Sequence, residues 1–170
     1  MRATVILLTL LLLAAPEVRA QPAVPGDLAQ FKESLTELPG KPSILRGRVY
    51  VPAYSSLSTG GGLRLDLAVT LAIRNVSEKA PLVIERIEYF SDAGLPIEKY
   101  LPRAIAIKPY GSIEIMIPKQ GTRGGTSANF KVDWSSPEEI DEPIIEAVMT
   151  ASQGTQGYSF ISVGRKVSRP

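Results

Sequence analysis

The chain has 170 residues, with 19 Lys and Arg against 17 Asp and Glu, and it contains neither His nor Cys. The missing residue types exclude Ser-His-Asp and Cys-His catalysis, His- or thiolate-ligated metal sites and disulfide chemistry. The near balance of charge gives no electrostatic argument for nucleic acid or anionic lipid.

Residues 1–20 read as a signal peptide. Met1-Arg2 is a short positive start, Ala3 to Ala15 an apolar run, and Val18-Arg19-Ala20 a small-residue cleavage signature before Gln21. The apolar run is short for a transmembrane helix, and a retained anchor is the weaker alternative. Losing Arg2, Arg19 and Glu17 on cleavage leaves 17 basic and 16 acidic residues, a net charge of +1. The expectation is an exported protein, periplasmic or secreted, with no stable membrane insertion. Residues 21–44 form a leader with a short helix. Asp27 to Leu38 places Leu28, Phe31, Leu35 and Leu38 on one helical face, with Asp27 as cap and Pro39-Gly40 as stop.

Residues 45–167 form the folded domain. Leu45 to Val51 is the first expected strand, ended or marked as an edge by Pro52. Ser55 to Gly62 is Ser- and Gly-rich and is expected to be a loop. From Leu63 to Ile73, every second residue is Leu, Val or Ile, the signature of a strand with one buried face. Such a strand is long, so a bend or a frayed Leu63 end is expected. Asn75-Val76-Ser77 matches a glycosylation sequon but is read as the start of a loop to Pro81. Leu82 to Phe90 changes parity midway, which a bulge near Glu85-Arg86 reconciles.

Ser91 to Gly94 is a turn into a short strand, Leu95 to Lys99. Ala104 to Lys108 and Ser112 to Ile117 are expected to pair as a hairpin around Pro109-Tyr110-Gly111. Pro118 to Ala128 is a Gly-rich loop. Phe130, Val132 and Trp134 then alternate with polar residues, which places Trp134 in the core or at its rim. Ser135 to Pro143 is an acidic loop. Ile144 to Thr150 lacks clear alternation and is expected to be covered on both faces. Ser152 to Gly157 is a second Gly-rich loop. Tyr158 to Val163 is the last strand, and Gly164 to Pro170 a loose basic tail.

Many short strands separated by Gly, Pro and Asp turns predict an all-β fold, a single antiparallel, immunoglobulin-like β-sandwich; the alternative is a closed barrel.

Four stretches carry a family resemblance: GRVYVPAYSSL at 47–57, RNVSEKAPLVIERIEYF at 74–90, TRGGTSANFKVDW at 122–134 and EPIIEAVMTASQGTQGYSFISVGR at 142–165. The sequence resembles the bacterial family catalogued as domain of unknown function 3124. The resemblance implies a small exported bacterial protein and brings no activity, cofactor or functional residue with it. The layout is also loosely similar to immunoglobulin-like modules of bacterial envelope proteins.

No nucleophile elbow, P-loop or dinucleotide fingerprint is present, and no catalytic residue, metal ligand or cofactor is assigned. The expected function is that of an exported, non-enzymatic binding or interaction module whose partner is a protein or glycan of the envelope. The alternative is a carboxylate-dependent hydrolase of envelope polysaccharide, using two of Asp133, Glu138, Glu139, Asp141, Glu142 and Glu146 at about 5–10 Å separation. If consecutive strands after Ser112 alternate in direction, both Gly-rich loops share one pole, with the acidic loop opposite. The expected site gathers Arg123, Gly124, Gly125, Thr126, Asn129, Gln153, Thr155, Gln156 and Tyr158. Gly124-Gly125 would present backbone N–H groups to an anion or sugar. Intact-mass measurement of the exported protein is expected to give a chain beginning at Gln21; a full-length membrane-embedded species would refute cleavage.

Overall fold

The computed structural model describes residues 26–119 and 121–169. The expected signal peptide, residues 1–20, and nearly all of the expected Pro-rich leader lie outside them. Among the described residues, thirteen short strands build two facing sheets and a small hairpin. A 3-10 helix, Gly26–Ser34, and the two-residue strand β1, Leu35–Thr36, stand where one helix through Leu38 was expected. The helix buries Leu28 and half-buries Phe31, but the backbone at Leu35 is captured by a sheet edge before the helix can continue. So short a segment gains little from helix propagation, and tertiary pairing decides.

The large sheet follows the order β1, β8 (Ile105–Ile107), β6 (Leu82–Phe90), β10 (Ala128–Ser136), β2 (Leu45–Ala53) and β13 (Arg165–Val167). β7 (Pro96–Lys99) lies beside β6, next to its far end. The second sheet runs β12 (Gln156–Val163), β11 (Ile144–Gln153), β5 (Ala68–Arg74) and β9 (Ser112–Ile117). All the pairings are antiparallel. The alternating run from Leu63 breaks at Leu67, whose N–H donates to the Ser55 carbonyl. Its first part, β4 (Arg64–Asp66), pairs with β3 (Ser56–Ser58), so the expected Ser-Gly loop is a hairpin with Ser55 and Ser56 buried at its base.

One core fills the space between the sheets. β5 contributes Val69, Leu71 and Ile73, and β9 contributes Ile113, Ile115 and Ile117. Facing them are Phe130, Val132 and Trp134 of β10, with Ile84, Ile87 and Tyr89 of β6. The parity change in β6 is a bulge: Arg86 pairs with Asp133 and Ile84 with Trp134, leaving Glu85 extra. Trp134 lies across Gly47, where a Cβ would come within 2.5 Å of the indole, so only glycine fits opposite it. Asn75 holds the loop after β5. It is buried and its amide donates to the carbonyls of Ala80, Ile107 and Lys108, while its Oδ1 accepts from the Ser77 N–H. The sequon asparagine is therefore a structural tie.

Four local expectations are corrected. β8 and β9 do not pair; the Pro109-Tyr110-Gly111 turn, with Tyr110 at φ 57, carries the chain from the large sheet to the small one. β11 alternates after all, with Ile145, Ala147 and Met149 buried and Ile144 on an open face. The second Gly-rich loop is a tight turn at Gly154-Thr155 joining β11 and β12. The tail is ordered as β13, an edge strand on β2. Gly164 makes that crossing possible, because a Cβ there would stand 2.5 Å from Val49 and 2.6 Å from the Ile145 carbonyl.

Leu71 is fully buried, whereas its neighbour Thr70 is on the outer face of β5. Leu71→Asp is expected to cost about 4 kcal/mol or more by stranding a charge in the core. Thr70→Asp should cost far less. Urea unfolding of the two variants measures the difference, and equal losses would refute the placing of Thr70 away from the core.

Candidate functional site

Strand parity dictates what the outer face of the large sheet presents. Val49 and Val51 point into the core, so Arg46, Arg48 and Tyr50 point out. By the same rule β10 turns Asn129, Lys131 and Asp133 outward, and β6 turns out Arg86 and Glu88. Register sets these in rows. Lys99, Glu88, Lys131, Tyr50 and Arg165 lie side by side across five strands. Arg86, Asp133, Arg48 and Val167 form the next row.

Three carboxylates sit low on this face, under a larger number of cations. Asp133 is 2% exposed and accepts from Arg48 Nε at 2.6 Å and Nη2 at 3.0 Å. Arg169 and Arg86 stand 3.7 and 4.0 Å from the same carboxylate. Glu88 is buried and has Lys131 at 2.6 Å, Arg86 at 3.8 Å and Lys99 at 4.0 Å. Glu85, the bulge residue, has Arg169 at 2.6 Å and Arg46 at 4.0 Å. With Arg165, seven cations face three carboxylates, a local excess of +4 on a chain of net +2.

Burial pushes the Asp133 carboxyl up, but the Arg48 hydrogen bond and the charges of Arg48, Arg169 and Arg86 outweigh it, and its pKa falls below the ordinary value. Glu85 behaves alike: burial raises it, while hydrogen bonds from Arg169 and Ser135 and the nearby arginines bring it down. The Arg48 guanidinium is raised, chiefly by its hydrogen bond to Asp133.

Within this face lies a shallow cleft of about 220 Å³, lined by Arg48, Tyr50, Phe90, Asn129, Lys131 and Val167. Tyr50 and Val167 are each 40% exposed. Lys131 Nζ lies 5.0 Å from the centroid of the Phe90 ring, a cation–π contact that holds the ammonium at the rim.

The expected site does not assemble. Its two loops do leave the same pole, because β9 and β11 both run antiparallel to β5, and the acidic loop 137–143 lies at the other. Lys119 Nζ even reaches the Ser152 carbonyl at 3.4 Å. But the first loop leaves β9, one edge of the small sheet, and the second leaves β11, with β5 between them. Arg123 turns instead to Glu98 at 3.9 Å. Gly124 and Gly125 pack on the β6–β7 turn. A Cβ at Gly124 would overlap the Tyr89 hydroxyl, and one at Gly125 would meet the Asp92 carboxylate at 2.1 Å. The Gly125 carbonyl accepts from Ser55 Oγ at 2.7 Å. These glycines serve close packing, and the acid beside them disfavours an anion there. Thr126 is exposed in the same loop. Gln153, Thr155, Gln156 and Tyr158 form the separate hairpin tip, where the Tyr158 hydroxyl donates to Gln156 Oε1 at 2.8 Å. Only Asn129 of the expected set lines the cleft.

Of the hydrolase candidates, Asp133 is clamped by Arg48, Glu146 is paired with Arg74 and Glu142 with Lys166; Glu138, Glu139 and Asp141 are exposed in the acidic loop. Among the described residues no group of three or more acidic side chains is placed to hold a metal ion. The cationic face left a signal that net charge concealed: Arg46, Arg48 and Tyr50 alternate with core residues, as do Asn129, Lys131 and Asp133.

The model of the family "Protein of unknown function (DUF3124)" matches residues 46–167. No curated protein matches the chain. A solved structure titled "Crystal Structure of Thermotoga maritima 1070" aligns with a TM-score of 0.42 at 13% identity, covering 70% of this chain and 92% of that one.

A depressed carboxyl stabilises a fold fully above its unfolded pKa, and that contribution is lost as pH falls through the folded pKa. The Asp133 and Glu85 contributions should therefore be complete at neutral pH and disappear on acidification through and below the ordinary carboxylate range. Asp133→Asn is expected to cost about 3 kcal/mol at neutral pH, because Arg48 loses its counter-charge, and to flatten the acid limb of the stability profile. Thermal melts across pH test this, and an unchanged acid limb would refute it.

Proposed function

We propose that this chain, which belongs to the DUF3124 family of proteins of unknown function, is an exported, non-enzymatic binding module of the bacterial cell envelope, and that the outer face of its large sheet is the binding surface. The observation that carries the reading is the surplus of cations there: seven over three carboxylates, already paired beneath them. A fixed array of one sign raises the local concentration of an oppositely charged partner and speeds its encounter. The partner is therefore an anionic component of the envelope. The periplasmic or secreted location follows from the signal-like residues 1–20 and belongs to the same proposal.

The hydrolase alternative asks for one carboxyl held protonated near neutrality as a general acid. Of the candidates, Asp133 is shifted the other way and clamped by Arg48, and Glu142 and Glu146 are each paired with a cation. Such pairing suits carboxylates whose work is to hold cations in place, so we carry the binding reading alone.

The test is retention of the mature protein on an immobilised polyanion, dextran sulfate, across a salt gradient. Retention should weaken steeply as salt shortens the screening length towards about 10 Å at 0.1 M. The double variant Arg86→Gln with Lys99→Gln, which removes two exposed cations without placing new acids beside Asp133 and Glu88, should elute earlier with its melting temperature little changed. Wild-type elution without retention, or equal elution of variant and wild type, would overturn the reading.

A further inference from the structure

Taking the outer face as the binding surface, we propose that its cleft receives one carboxylated sugar ring, so that the ligand is an acidic glycan of the uronate type. The cleft combines two chemistries that a simple polyanion site lacks. Its floor is largely carbon, from Tyr50, Phe90 and Val167. Its rim carries Arg48, Lys131 and the Asn129 amide. A pyranose has an apolar C–H face, which lies flat against an aromatic ring, and a periphery of hydroxyls. A uronate adds one carboxylate at the edge of that ring. Aromatic floor, amide and cation match those three features in turn.

The donors are held before any ligand arrives. Arg48 gives Nε and Nη2 to Asp133, which fixes the guanidinium plane and leaves Nη1 unused by that pair. Lys131 is fixed between Glu88, at 2.6 Å, and the Phe90 ring. Asn129 makes no side-chain hydrogen bond among the described residues, so its donors and acceptor are open to hydroxyls. Preorganised side chains lose less rotamer entropy on binding, which suits a ligand with few contacts.

Size and shape narrow the class. At about 220 Å³ the cleft is below the range of about 300–1,000 Å³ typical of drug-sized ligand sites, so it takes a single ring and leaves neighbouring units outside. It is shallow and open, with no tunnel for an acyl chain. A phosphate or sulfate is the poorer match, because the cations alone would hold it and the carbon floor of Tyr50, Phe90 and Val167 would go uncovered. Beyond the cleft, Arg86, Lys99 and Arg165 would meet the carboxylates of adjacent units along the face.

Calorimetric titration of the mature protein with galacturonate oligomers, neutral glucose oligomers of equal length, and dextran sulfate tests the assignment. The uronate oligomer should bind saturably and the neutral one should not. Tyr50→Ala, at an exposed position that leaves the core intact, should weaken uronate binding by about tenfold or more. The same variant should keep its salt-dependent retention on dextran sulfate and its melting temperature. Asn129→Ala should weaken uronate binding in the same selective way. If dextran sulfate binds and the uronate oligomer does not, or if Tyr50→Ala and Asn129→Ala bind uronate as tightly as wild type, the sugar assignment is overturned while the cationic face stands. If neither polyanion binds, both proposals fall together.

Discussion

A carboxylate 2% exposed, in the middle of a sheet, is the constraint on which the large sheet turns. An isolated ionised Asp133 there would cost several kcal/mol in lost hydration. It is tolerated because Arg48 stands directly opposite on β2 and donates two hydrogen bonds to it. That requirement fixes the β2–β10 register. A slip of one residue would turn Arg48 toward the core and leave Asp133 uncompensated. The same register seats Gly47 beneath Trp134, the largest side chain of the core, where no other residue has room. Ion pair above and indole below specify one alignment from opposite faces, so the outer surface and the core are set by a single choice.

The strands were legible wherever alternation is forced by one-sided burial. Val69, Leu71 and Ile73 announced β5, and Phe130, Val132 and Trp134 announced β10. The β6 bulge was legible too, because Ile84 and Ile87 both need the core and only an extra residue permits it. What stayed hidden was pairing between distant segments. The turn at Pro109-Tyr110-Gly111 encodes a reversal, and the same residues serve a hairpin or a step between sheets. Nothing local to Arg165–Val167 marks it as a strand; it is ordered because β2 offers a free edge and Gly164 lets the chain pass close to Val49. The Gly-rich loops attracted a site assignment because glycine suits both ligand approach and close packing. At Gly124 and Gly125 the packing partners, Tyr89 and Asp92, are over thirty residues away in sequence.

The candidate face was hidden for a different reason. Its residues come from strands that are remote in the chain, and their charges cancel in any sum over the sequence. The acidic residues Glu138, Glu139, Asp141 and Glu142 offset the surplus numerically, yet they sit in a loop beyond β10 and near one pole. A balanced chain can thus carry a strongly one-sided surface. Net charge speaks to solubility and to the far field, while recognition depends on which charges share a face.

The surplus itself exceeds what folding needs. One close cation per acid would supply the counter-charge: Arg48 for Asp133, Lys131 for Glu88, Arg169 for the half-buried Glu85. Arg46, Arg86 and Lys99 stand further off, at 3.8 to 4.0 Å, and are more than half exposed; Arg165 is exposed beside Tyr50. Exposed pairs at such distances contribute only about 0–1 kcal/mol, and like charges crowded on one sheet face repel. A fold under pressure for stability alone gains little from the last four cations. Their placement in rows that flank an aromatic, carbon-floored cleft is better explained by something the face must attract than by anything it must hold together.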